Sequence, residues 1–210
     1  KSVSPCRAPP VENGPSKRGR MTDRSGRAPL TSSTQEPHIN HPTILGIDPG
    51  TREMGVVVLR GDRLLSYGVH TLRNGERPYD VIGQARRIVL DYVGRFDPDI
   101  VAIEKPLRMS HTRAALLTVI VEELAKRSRD VGLKVVQLAP VEVRERLVGN
   151  PRANKLEVAT ALVERGFPEL REKLPKKPAR SALGFKPGEK YWLHMFDALA
   201  VAVAAQATSY

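Results

Sequence analysis

A chain of 210 residues with 40% hydrophobic content can bury the core of one ordinary domain. Lysine and arginine outnumber aspartate and glutamate 34 to 23, giving a net charge of +11 and a pI near 10.1; this suggests a polyanionic partner, most simply nucleic acid. The single cysteine, Cys6, excludes an intramolecular disulfide framework and a cysteine zinc site, and no apolar run approaches the ~20 residues of a membrane span. With no apolar secretory stretch at the N-terminus either, the cytoplasm, in association with the nucleoid, is the expected compartment.

Residues 1–42 are rich in Pro, Ser, Thr and Arg and poor in aliphatic side chains, so a disordered basic tail is expected there, with Met21 as an alternative start. The folded domain is expected over 43–210. An apolar strand at 43–48 ends in the turn residues Pro49-Gly50-Thr51. Strands at 55–60 and 63–72 flank Gly61-Asp62, a hairpin signal. From 79 to 96, Val81, Ile82, Ala85, Ile88, Val89 and Tyr92 recur at helical spacing until Pro98. A strand follows at 99–104. A helix then runs from a cap at Ser110 to about 131, with Gly132 as its stop. The spacing next predicts a strand at 133–138 and helices at 141–148 and 153–166, separated by Gly149-Asn150-Pro151. A loop is expected at 171–190, with seven basic residues against two acidic ones, before an alanine-rich helix from about 193. Strands joined by short turns, followed by strands alternating with helices, indicate a mixed α/β sheet.

Three separated segments each carry a carboxylate. Asp48 ends the run Thr43-Ile44-Leu45-Gly46-Ile47, Glu104 ends Asp99-Ile100-Val101-Ala102-Ile103, and Asp197 lies three residues after His194. A carboxylate at the end of a buried strand is costly to desolvate unless something positive pairs with it. If strands 43–48 and 99–104 lie side by side and parallel, both acids emerge at the carboxyl edge of the sheet, where ligands gather. His194 and Asp197 share one face of the last helix, which need only cross these strand ends. Such an oxygen-rich cage suits hard divalent cations and argues for two-metal phosphodiester chemistry.

Ile44-Leu45-Gly46-Ile47-Asp48-Pro49-Gly50-Thr51 resembles the opening motif of the RuvC Holliday-junction resolvases. Val101-Ala102-Ile103-Glu104 resembles their second motif, and His194-Met195-Phe196-Asp197-Ala198-Leu199-Ala200-Val201-Ala202 their last. Pro140, Val143, Arg144, Gly149, Ala153, Lys155 and Val158 follow the family's Pro-x-x-Val-Lys and Ala-x-Lys-x-x-Val region in order and spacing. The resemblance covers about 43–205 and implies an RNase H-like fold, a mixed five-stranded sheet flanked by helices. It implies that Asp48, Glu104, His194 and Asp197 hold two Mg or Mn ions, with Mn at least as effective as Mg because of the imidazole. It also implies that Lys155 approaches the scissile phosphate and that Arg144 holds the flanking backbone. The activity implied is paired symmetric nicking of four-way DNA junctions by a homodimer, in recombination and repair, with a branch-migration motor as a further partner.

Three features depart from the family. After the glutamate, where an aromatic is usual, the chain has Lys105-Pro106-Leu107-Arg108, so Leu107 would be an aliphatic wedge with Arg108 beside it on the DNA. Helix 110–131 corresponds to the family's dimer helix but lacks its small residues. The basic loop 171–190, with Phe185, Tyr191 and Trp192 in or beside it, could hold backbone and stack on a base. Other readings stay open: an RNase H-like nuclease acting on RNA or another branched nucleic acid, a kinase-like ATP binder, or a non-catalytic binder of branched DNA.

Overall fold

The computed structural model describes residues 41–73, 78–106, 112–175 and 187–207. The tail expected at 1–42 lies outside the described residues except for His41 and Pro42, as do Leu107, Arg108 and Ser110 and the part of the basic loop at 176–186.

The chain order is β1 (Thr43–Asp48), β2 (Glu53–Arg60), β3 (Arg63–Thr71), α1 (Pro78–Phe96), β4 (Ile100–Glu104), α2 (Thr112–Asp130), β5 (Lys134–Leu138), α3 (Pro140–Val148), α4 (Lys155–Arg165), a 3-10 turn (Pro168–Lys173) and α5 (Pro187–Gln206). The strands form one mixed sheet in the order β3-β2-β1-β4-β5. The β1–β2 and β2–β3 pairs are antiparallel, whereas β1–β4 and β4–β5 are parallel. Gly61 and Asp62 are the two-residue connection of the β2–β3 hairpin, with Gly61 in the left-handed region at φ 59°.

All six residues of β1 are buried, as befits a central strand covered on both faces. Side chains alternate between two cores. Ile44, Val57, Leu59, Ile100 and Ala102 join the core built with α3, α4 and α5. Leu45, Ile47, Met54, Val56, Val58, Val101 and Ile103 join the core built with α1 and α2. By the same alternation, Asp48 and Glu104 belong to the face covered by α5.

The starts of the two central parallel strands are tied together. The Thr43 amide donates to the Asp99 carboxylate at 2.7 Å, and the Asp99 amide donates to the Thr43 carbonyl at 2.8 Å. Asp48 follows Thr43 by as many residues as Glu104 follows Asp99, so the two carboxylates finish level at the same edge. Ile47 pairs with Ile103, one residue short of each acid.

Two glycines let α5 press onto this sheet. A Cβ on Gly46 would sit 2.3 Å from the Ala198 carbonyl oxygen and 2.8 Å from Ala202 Cβ, and one on Gly55 would sit 1.9 Å from the His194 carbonyl oxygen. Neither position has room for a side chain without moving the helix backbone. Gly55→Ala is therefore expected to cost about 2–3 kcal/mol through overpacking, read as a fall in Tm of roughly 4–12 °C. An unchanged melting curve would show that α5 is not held against β2.

Helix α5 differs from expectation at its start. It begins at Pro187 rather than near residue 193, so Tyr191 and Trp192 are helical. The expected loop 171–190 likewise opens inside the 3-10 turn, where Lys173 Nζ sits 4.5 Å from the centre of the Trp192 ring. Proline at the first helical position needs no amide partner, so Pro187 starts this helix instead of barring it. Among the described residues, no helix is long and apolar enough to cross a membrane.

Candidate metal and active site

Asp48 leaves β1, Glu104 leaves β4 and Asp197 comes down from α5. One oxygen from each of the three carboxylates lies within 4.8 Å of the other two. Asp48 and Asp197 are each only 8% exposed. His194 reaches this cage through Asp48, with Nδ1 2.7 Å from Asp48 Oδ2. Lys155 comes from the first turn of α4, its Nζ donating directly to Asp197 Oδ2.

Lys155 is held there by local sequence. Asn154 caps α4, its side chain accepting from the Leu156 and Glu157 amides at 3.0 and 3.1 Å, while Glu157 accepts from the Asn154 amide at 2.9 Å. This capping box fixes the first turn and so the origin of the Lys155 side chain. Arg144, half-buried on α3, is near enough for its charge to be felt at Glu104.

The electrostatics are those of a crowded anionic pocket. Burial, then repulsion from Asp48 and Asp197, pushes Glu104 up to about 8, although Lys155 and Arg144 pull it back. Burial and the charge of Asp48 push Asp197 up to about 6, against the opposing pull of Lys155 and His194. Burial acts to neutralise Lys155, but Asp197 and Asp48 outweigh it and hold the ammonium charged. His194 is similar: burial lowers it, and the hydrogen bond and charge of Asp48 raise it above its ordinary value. Three carboxylates so placed cannot all ionise cheaply near neutral pH without added positive charge. Hard oxygen donors in excess of the local cations fit a divalent ion such as Mg or Mn.

One residue at this site was not singled out in the sequence. Glu53 Oε2 lies 3.4 Å from His194 Nε2, so the imidazole stands between two carboxylates. No local sequence signal marks it; its place follows from the register, in which Asp48 pairs with Gly55 and alternation along β2 puts Glu53 on the same face as Gly55.

Adjacent parallel strands ending in carboxylates, with a last helix adding another across them, define a nuclease of the RNase H-like class. The family model for crossover junction endodeoxyribonuclease RuvC matches residues 44–184, and the chain belongs to that family. The match includes Asp48, Glu104, Arg144 and Lys155 and stops before His194 and Asp197. The crossover junction endodeoxyribonuclease RuvC of Akkermansia muciniphila is 28% identical over 145 residues, covering 67% of this chain and 85% of that one. The structure of Thermus thermophilus RuvC in complex with Holliday junction substrate superposes with a TM-score of 0.60 at 25% identity, covering 80% of this chain and 96% of that one. The yeast mitochondrial Holliday junction resolvase Ydc2 shares the fold, with a TM-score of 0.50 at 14% identity over 81% of this chain and 83% of that one.

Proposed function

We propose that this chain resolves four-way DNA junctions by paired symmetric nicks, in recombination and repair, using divalent metal ions. The observation that carries this reading is the three-carboxylate cage flanked by Lys155 and Arg144 in a strongly basic chain. Asp48, Glu104, Asp197 and His194 would hold two Mg or Mn ions. When bound, these supply an activated water and charge stabilisation at the leaving 3′ oxygen. The chain's own cations handle the phosphates. Lys155, with its side chain 46% exposed, can offer its ammonium to an arriving phosphate while still anchored by Asp197. Arg144 would grip a neighbouring phosphate through its planar fork. Leu107 and Arg108 are proposed to meet the DNA near the junction centre.

A homodimer built on α2 would set two such sites about a two-fold axis and cut two strands of like polarity. Val119 on that helix is 51% exposed, which suits an isologous contact. Phosphate contacts would dominate affinity, so binding should weaken steeply with salt. A branch-migration motor would be a further partner.

Lys155→Ala is expected to slow single-turnover cleavage by about 10²-fold, with junction affinity within a few-fold of wild type. An unchanged rate would return Lys155 to a structural role. The assignment as a whole is tested by comparing cleavage of a synthetic four-way junction with linear duplex, flap and RNA–DNA hybrid of the same sequence, in Mg and in Mn. Nicks confined to the junction support it. Cutting of flap or hybrid instead would keep the chemistry and discard the substrate. Tight binding without cutting in either metal would indicate a non-catalytic binder.

A further inference from the structure

The His194 ring is contacted at both nitrogens by carboxylates of different character. Nδ1 faces Asp48 Oδ2 at 2.7 Å, and Asp48 is one of the three acids of the cage. Nε2 faces Glu53 Oε2 at 3.4 Å, and Glu53 lies outside that cage. The geometry follows from the strand register: Asp48 pairs with Gly55, the missing side chain there lets the His194 backbone down onto β2, and Glu53 emerges two residues away on the same face.

We infer that Glu53 is a positioning residue: its carboxylate braces the Nε2 side of the His194 ring and so keeps Nδ1, the nitrogen beside Asp48, turned toward the cage, where it can ligate metal. The inference rests on the proposed role of His194 as a ligand. Imidazole can give a metal only one of its nitrogens, and the proton on the other fixes which one is offered and how the ring is turned. Before an ion binds, Nδ1 donates to Asp48 across the 2.7 Å contact, and an arriving ion would displace that proton. With Nδ1 on the ion, the Nε2–H is left facing Glu53, and the ring is braced on the side remote from the cage.

The test is Mn2+ affinity of the full chain by calorimetry at one fixed pH, with melting in EDTA to confirm that each variant folds. His194→Ala and Glu53→Ala should each weaken Mn2+ binding by about 10-fold or more. Glu53→Gln, whose amide oxygen still accepts the Nε2 proton, should stay within about threefold of wild type. Adding Glu53→Ala to His194→Ala should produce no further loss, as expected when one residue acts only through the other. In the Mn2+-free protein, 15N NMR of His194 should show an Nε2–H signal that shifts in Glu53→Ala. Glu53→Ala with wild-type affinity would overturn the inference. So would an equal loss in the His194→Ala background, which would mean that Glu53 attracts the ion directly. Unchanged affinity in His194→Ala alone would strike out the ligand role of His194 itself, a failure distinguishable from that of Glu53.

Discussion

Asp48→Asn is expected to reduce cleavage by at least about 10³-fold while leaving junction affinity nearly intact. Asp48 ends the central strand, lies within reach of Glu104 and Asp197, and hydrogen-bonds His194, so Glu104, Asp197 and His194 are all tuned by its charge. Asparagine keeps the size and one acceptor oxygen but removes that charge. The repulsion that raises Glu104 and Asp197 then falls, and burial drives His194 toward its neutral form. The cage would lose both its affinity for a cation and its preferred arrangement. Affinity for DNA should survive, because it would come from Lys155, Arg144 and the wider basic surface. Single-turnover cleavage alongside gel-shift titration separates the two effects, and full activity in Asp48→Asn would refute the metal assignment.

Glu104→Gln should produce an opposite pair of effects: loss of cleavage together with a gain in stability when no divalent ion is present. The sign follows from linkage. The folded pKa of Glu104 is raised from 4.5 to about 8, so its stabilising contribution is complete below about 4.5 and is lost as pH rises to about 8. Asp197, raised from 3.8 to about 6, adds a smaller loss over the lower part of that window. In EDTA the wild-type Tm should therefore fall between pH 5 and 8. The fall should be smaller in Glu104→Gln, which would melt roughly 5–10 °C higher than wild type at pH 8. Added Mn2+ should raise the wild-type Tm, by more at pH 8 than at pH 6, and do little for the variant. A Glu104→Gln protein less stable than wild type in EDTA at pH 8 would contradict the account of this pocket as a strained anionic cage. The trade is the usual one at a functional site, where charge needed for activity is held at a cost in stability.

The strand ends were legible because each is an apolar run stopped by an acid: Thr43 to Asp48, and Ile100 to Glu104. The helical spacing of His194 and Asp197 likewise put both on one face before any fold was known. Glu53 was hidden for a physical reason. β2 is apolar on both faces from Met54 to Leu59, so its sequence does not reveal which face carries Glu53 until the pairing of Asp48 with Gly55 is known. The start of α5 was obscured by Pro187-Gly188, residues that end helices more often than they begin them, although proline is acceptable at a first turn. In the sequence Gly46 is only the smallest residue of an apolar run; its purpose appears once Ala198 and Ala202 are seen lying against it. Pairing register and the close approach of a helix are tertiary facts, and local sequence carries little of either.

Metal-dependent junction cutting by two coordinated sites can be read on a supercoiled plasmid that extrudes a cruciform. Two nicks made together across the four-way junction open the circle to a linear molecule. A lone nick releases the supercoiling, the cruciform is reabsorbed, and only an open circle remains. Linear product is expected in Mg or Mn, none in EDTA, and none with Asp48→Asn. Open circles alone, or linear product that persists in EDTA, would contradict it.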